Sequence, residues 1–158
     1  MLFRSVAVNN AAVADRAFVN QAAERFGSQS IVVSVDVRRR LFGRAEVFAD
    51  RGRRGTGLDP VSFARDLEAA GAGEILLTSV DREGTMKGYD VELVRSVTSA
   101  VTVPVIACGG AGSVQDVIGV VRDGGAAAAA IGSMAVYQGR NRAVLIGFPS
   151  PRQLAPLV

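Results

Sequence analysis

The chain contains no histidine and only one cysteine, Cys108, among its 158 residues. A single cysteine excludes an internal disulfide framework, and the absence of histidine excludes both a Cys/His zinc site and histidine acid–base catalysis within this chain. Chemistry is left to carboxylates, hydroxyls and backbone amides, and no cofactor or metal is called for. No apolar run reaches the roughly 18 residues of a membrane span. Met1–Ser5 is too short and wrongly built for a signal peptide, so a cytoplasmic chain without a membrane role is expected. The net charge of +3 is too mild to demand a nucleic-acid partner by long-range attraction. Aromatic residues make up only 6% of the chain. Almost none interleave with the basic cluster of Arg38, Arg39, Arg40, Arg51, Arg53 and Arg54, which argues against base stacking and nucleic-acid binding. That cluster reads either as an attractant for an anionic substrate or partner or as a solvated face.

The composition is 49% apolar and 21% charged, the balance of a folded domain. Short runs rich in valine and isoleucine alternate with longer amphipathic stretches, the pattern of parallel β/α architecture. Strands are expected at Val6–Val8, Ile31–Val37, Ile75–Ser79, Val103–Cys108 and Ala127–Ile131. Helices are expected at Asp15–Phe26, Pro60–Ala70, Asp90–Ala100 and Ser113–Arg122. Asp59 before Pro60 suits a helix start, and Gly71 and Gly124 suit helix ends. Between Arg38 and Asp59 the spacing is long, and Glu46–Ala49 with Arg51–Arg54 form a candidate hairpin. The alanine run Ala126–Ala130 reads as a buried strand of small residues, because a helix would have to start directly after two glycines. An open doubly wound sheet is the alternative fold, but no Gly-x-Gly-x-x-Gly turn follows the first strand. The pattern reads as α/β, strands four to eight of a (β/α)8 TIM barrel. Such a barrel usually needs about 250 residues, so residues 1–158 are expected to form a single partial barrel domain without its N-terminal half.

Several residues stand where such a barrel carries chemistry. Asp36 breaks an apolar strand near its C-terminal end and is either catalytic or paired with an arginine of the adjacent 38–40 run. The loop Ser79–Asp90 offers acidic residues, Gly84, Thr85 and Gly88 to a substrate, although loops this polar are also simply solvated. Ala107–Ser113 runs from strand through Gly109 and Gly110 to a helix start, which aims backbone N–H groups at an anion. Gly132 and Ser133 repeat this one strand later, and paired turns after the last two strands suit a phosphate. Asn9 and Asn10 follow the first strand and serve either as an anion grip or as helix caps.

Together VAVNNAA, SVDVRR, TGLDP, GAGEILLTSVDREGTMKGYD, VPVIACGGAG and AAAIGS resemble the cyclase subunit of imidazole glycerol phosphate synthase, in order and spacing from Val6 to Ser133. The resemblance implies a barrel of the ribulose-phosphate-binding type with two phosphate sites. It implies a lyase of histidine biosynthesis that uses ammonia from a glutaminase amidotransferase subunit to close an imidazole ring on a phosphorylated substrate. It makes Asp36 the acid or base. Asn9 and Asn10 become one phosphate grip, and Gly84, Thr85, Gly109, Gly110, Gly132 and Ser133 serve the other. Glu74 and Thr78 then lie on the ammonia route.

Departures are equally specific. Cys108 stands where the histidine enzyme usually has serine, Asn10 where threonine is common, and Glu83 where aspartate is more frequent. The tail GSMAVYQGRNRAVLIGFPS resembles instead a glycosyl amidation-associated paralogue group linked to surface polysaccharide. A non-catalytic assembly module is a further alternative. MLFRS does not match, and a first-strand aspartate is absent, so the isolated chain is expected to be inactive and to self-associate through uncovered strand edges.

Overall fold

The computed structural model describes residues 5–40, 43–139 and 143–157. Five parallel strands form the body: β1 (Val6–Val8), β2 (Ile31–Arg39), β5 (Glu74–Ser79), β6 (Val105–Cys108) and β7 (Ala128–Ala129). They pair side by side in chain order, β1 with β2, β2 with β5, β5 with β6 and β6 with β7. The excursion after β2 supplies the antiparallel β3 (Ala45–Ala49) and β4 (Arg54–Gly55). Both β1 and β3 lie on the same side of β2, β1 against Ile31–Val33 and β3 against Asp36–Arg39.

The intervening helices are α1 (Asn10–Ala14), α2 (Arg16–Phe26), α3 (Pro60–Ala69), α4 (Val91–Thr98) and α5 (Val114–Arg122). Asp15, Asp59 and Asp90 each accept a backbone N–H in the first turn that follows. Ser113 and Asp116 form a reciprocal capping box. Past β7 come α6 (Ser133–Val136), a small hairpin of β8 (Tyr137–Gln138) with β9 (Ala143–Val144), and α7 (Pro151–Leu154).

Each crossover steps to the next strand in one direction, and right-handed crossovers then place every helix on the same face of the sheet. That is partial-barrel geometry, because a doubly wound sheet must reverse direction at a switch point. Side-chain burial follows the two faces. Val33, Val35 and Val37 of β2 and Ile75 and Leu77 of β5 are at most 1% exposed under the helices, packed with Phe63, Leu67, Val97 and Val120. Burying each such side chain stabilises the fold by about 1.5–3 kcal/mol. Their neighbours Ser34, Asp36, Glu74, Leu76, Thr78, Ile106 and Cys108 lie on the other, inner face and stay partly accessible.

Three details differ from the sequence expectation. The second hairpin strand is Arg54–Gly55 rather than Arg51–Arg54, because Asp50, Arg51 and Gly52 all take positive φ and form the turn. At the end of α5 the left-handed residue is Gly125, not Gly124, whose missing side chain instead leaves room for the Val120 carbonyl. The alanine strand is shorter than expected, and Ala127 and Ala128 are exposed. Among the described residues β7 has no partner on its outer side, so nothing covers it there. Met1–Arg4 of the non-matching start and Arg140–Arg142 within the tail lie outside the described residues.

Candidate functional site

All five parallel strands point their C-terminal ends the same way, and there a cavity of about 110 Å3 opens between β6 and β7. Its walls are Cys108–Ala111, Ala130–Ser133, and Glu83 and Gly84 of the loop after β5. By the same measure a single water needs only about 10–15 Å3, so a small anionic group has room. Of the residues expected to grip phosphate, Gly84, Gly109, Gly110, Gly132 and Ser133 meet at this cavity. Thr85 does not line it: its hydroxyl donates to the Arg82 carbonyl at 2.7 Å and shapes the loop turn.

The glycine turn after β6 is built by close backbone approach. A Cβ on Gly109 would collide with the Ser79 carbonyl oxygen, one on Gly110 with that of Gly88, and one on Gly112 with that of Met86. The loop from Ser79 to Tyr89 therefore lies directly on the turn, and the Gly88 N–H donates to the Gly110 carbonyl at 2.8 Å. Gly132 differs, since a Cβ there would meet nothing within 4 Å.

Asp36, Thr78 and Cys108 are register partners across β2, β5 and β6 and form one row on the inner face beside this cavity. Asp36 makes no ion pair among the described residues. Its alternative role as an arginine partner does not hold, because the neighbouring arginines are engaged elsewhere. Arg38 binds Asp81 and the Gly52 carbonyl, Arg39 binds Asp90 and Glu92, and Arg40 binds Glu46. The basic cluster is thus largely paired within the chain. Burial pushes the Asp36 carboxyl above the usual aspartate range, and a 3.3 Å hydrogen bond from the Ser34 hydroxyl partly opposes this. Burial also raises the Cys108 thiol, and the Glu83 carboxylate adds to the rise. Hydrogen bonds from Thr78 and Gly109 work against it. The Cys108 thiol faces Glu83 Oε2 at 3.9 Å.

Asn9 and Asn10 lie at the opposite edge of the sheet. The Asn9 amide donates to the Ser34 carbonyl at 2.9 Å and makes no cap, while Asn10 Oδ1 accepts the Asp50 N–H at 2.9 Å. Asn10, Asp50, Arg51 and Arg53 line a separate open cleft of about 300 Å3. Glu74 begins β5 at the other end of the inner face and forms no salt bridge among the described residues. Thr78 is four residues further, about 13 Å along the same face.

Two contributors were not singled out from sequence. Ser34 was legible in principle, since it lies two positions before Asp36 and strand alternation puts both on one face. Tyr89 was not, because its hydroxyl bond to the Ala130 carbonyl, 2.8 Å, joins residues 41 positions apart. Among the described residues no cluster of three or more histidine, cysteine or acidic side chains could hold a metal, and no helix is long and apolar enough to cross a membrane.

Comparison with known proteins adds relatives of this arrangement. Residues 2–142 match the family described as histidine biosynthesis protein. The chain is 45% identical over 149 residues to a Pseudomonas aeruginosa protein provisionally named imidazole glycerol phosphate synthase subunit hisF2, with 94% of this chain aligned to 59% of that protein. It is 53% identical over 123 residues to imidazole glycerol phosphate synthase subunit HisF of Hyphomonas neptunium, with 78% of this chain aligned to 48% of that protein. The chain thus spans about half to three fifths of the length of the curated relatives it matches.

Proposed function

Because the chain belongs to the histidine biosynthesis protein family, we propose that it forms part of a cyclase barrel that uses ammonia on a phosphorylated small molecule. The observation that carries this reading is the cavity between the glycine turns after β6 and β7, one strand away from the Thr78 and Asp36 row. Backbone N–H groups there supply partial positive charge without long flexible side chains, which suits a phosphate. A second grip at Asn9 and Asn10, with Arg51 and Arg53 alongside, lies four strand steps away. At about 4.8 Å per step the strands separate the two grips by about 19 Å across the sheet, within reach of a substrate carrying a phosphate at each end.

Asp36 lies between the grips, and its raised carboxyl is better able to hold and pass a proton near neutral pH than an ordinary aspartate. Ammonia would enter past Glu74 at the far end of the inner face and reach the substrate by way of Thr78. A glutaminase amidotransferase docked at that far end would supply it. The overall reaction is imidazole ring closure by a cyclase-type lyase of histidine biosynthesis. Cys108 and the tail after Gly132 favour a second reading, a sugar-amidation paralogue with the same two grips and ammonia supply.

Calorimetric titration with a doubly phosphorylated imidazole-precursor ribotide tests the proposal. Binding that weakens strongly when either phosphate is removed supports two grips, and binding of neither form contradicts them. In a barrel completed by the remaining strand–helix units, Asp36→Asn lowers ammonia-dependent turnover about 100-fold or more while leaving ribotide binding near normal. Near-normal turnover removes Asp36 from the chemistry.

A further inference from the structure

The wall of the cavity formed by Ile131, Gly132 and Ser133 is held by the packing of Ile131 against the core and by the Ala135 N–H on the Gly132 carbonyl. It follows β7, which is two residues long and, among the described residues, unpaired on its outer side. At Gly132 a Cβ would find no atom within 4 Å. The opposite wall, the turn Gly109–Gly112, is clasped by the Ser79–Tyr89 loop through three backbone contacts that only glycine admits. One wall is clasped backbone to backbone, and the other is not.

The two are joined at Ala130. Its N–H donates to the Ala107 carbonyl of β6 at 2.8 Å, and its carbonyl accepts the Tyr89 hydroxyl at 2.8 Å. Tyr89 is 4% exposed, and the residue before it, Gly88, is the one bonded to Gly110. The residue after it, Asp90, caps α4 and is paired with Arg39. The phenol therefore projects from a segment fixed on both sides. Burial also raises its pKa well above the ordinary tyrosine value, so the hydroxyl remains a donor throughout the working pH range.

We infer that Tyr89 is a positioning residue for anion binding, its hydroxyl anchoring Ala130 so that the Gly132 wall stands at a fixed distance from the Gly110 turn. The inference rests on the phosphate reading of this cavity and adds to it the residue that sets the width of the grip. Tyr89 touches no ligand in this account. It acts through two residues of backbone, so removing its hydroxyl loosens the wall without removing any group from the cavity.

The test uses the full chain with inorganic phosphate as the probe, followed through backbone amide resonances. Tyr89→Phe keeps the buried ring and removes only the hydroxyl. Thr98→Val serves as control: the Thr98 hydroxyl donates to the Gly124 carbonyl at 2.7 Å, a bond of the same kind that ties α4 to the end of α5 away from the cavity. The expected result is a phosphate Kd raised about tenfold in Tyr89→Phe, the size of losing one neutral hydrogen bond and leaving its acceptor unpaired, and unchanged in Thr98→Val. Equal affinity in Tyr89→Phe and the unmodified chain overturns the inference, as does equal weakening in both variants, which would mark a general loss of stability. If the unmodified chain shows no phosphate response at this cavity, the phosphate reading itself fails. Should Tyr89→Phe not fold, hydroxyl-proton exchange of Tyr89 in the unmodified chain decides instead. Exchange slowed by phosphate supports the anchor, and exchange indifferent to phosphate overturns it.

Discussion

Gly88 and Gly110 meet backbone to backbone: the Gly88 N–H donates to the Gly110 carbonyl at 2.8 Å, and the Gly88 carbonyl oxygen occupies the place where a Gly110 Cβ would be. Gly110 also has φ +108°. A substitution there strains the backbone and displaces the loop at once. Gly110→Ala should cost at least about 2 kcal/mol in urea unfolding, by strain together with overpacking. Gly132→Ala, facing open space, should stay within about 0.5–1 kcal/mol of the unmodified chain. Similar losses at both positions would contradict the difference between the two walls. The pair also shows that a bulky residue at Gly110 is a poor probe of ligand binding, because it disturbs the loop before any ligand arrives, whereas Gly132 probes the cavity alone.

Asp36 gives a pH-dependent prediction. Its folded value is raised by burial, so the stability it contributes is fully present below the ordinary aspartate value and is lost as pH rises through the folded value. Near neutral pH the half-buried carboxylate, with no cation paired to it among the described residues, opposes folding. Asp36→Asn should therefore unfold at higher denaturant than the unmodified chain at pH 7, with the difference shrinking as pH falls through the raised folded value towards the ordinary aspartate value. A variant less stable at pH 7 would show that the carboxylate has a stabilising partner, returning it to a structural role.

The β/α alternation was legible because it is local: valine-rich strands and capped helices carry their signals within about ten residues. Asp59 with Pro60 and Asp90 mark helix starts where the structure has them. The hairpin turn at Asp50–Gly52 was misjudged by several residues because two non-glycine residues take positive φ there, which sequence gives no reason to expect. The glycines of the 109–112 turn read as aiming backbone N–H groups at an anion. Gly109, Gly110 and Gly112 also admit the loop after β5, 22 to 30 residues earlier, a contact that no periodicity reports. The fate of individual charges was equally hidden: Arg38, Arg39 and Arg40 reach Asp81, Asp90 and Glu46, leaving Asp36 without an arginine partner.

The open edges predict association. β1 pairs only with β2 and β7 only with β6 among the described residues, and Val6 on the first edge is 54% exposed. Unpaired edge groups and an accessible inner face favour pairing with other strands. Sedimentation of the purified chain should show concentration-dependent association at micromolar levels. A strictly monomeric chain across that range would mean that these edges are protected.

A phosphate group bound between the two glycine turns should be visible in the amide spectrum of the labelled chain during addition of inorganic phosphate. Such binding should give saturable shifts concentrated at Gly110, Ala111, Gly132 and Ser133, reduced when Gly132→Val fills the space. Shifts confined to the arginine-rich hairpin around Arg51 and Arg53, or no saturable shift at the cavity, would contradict it.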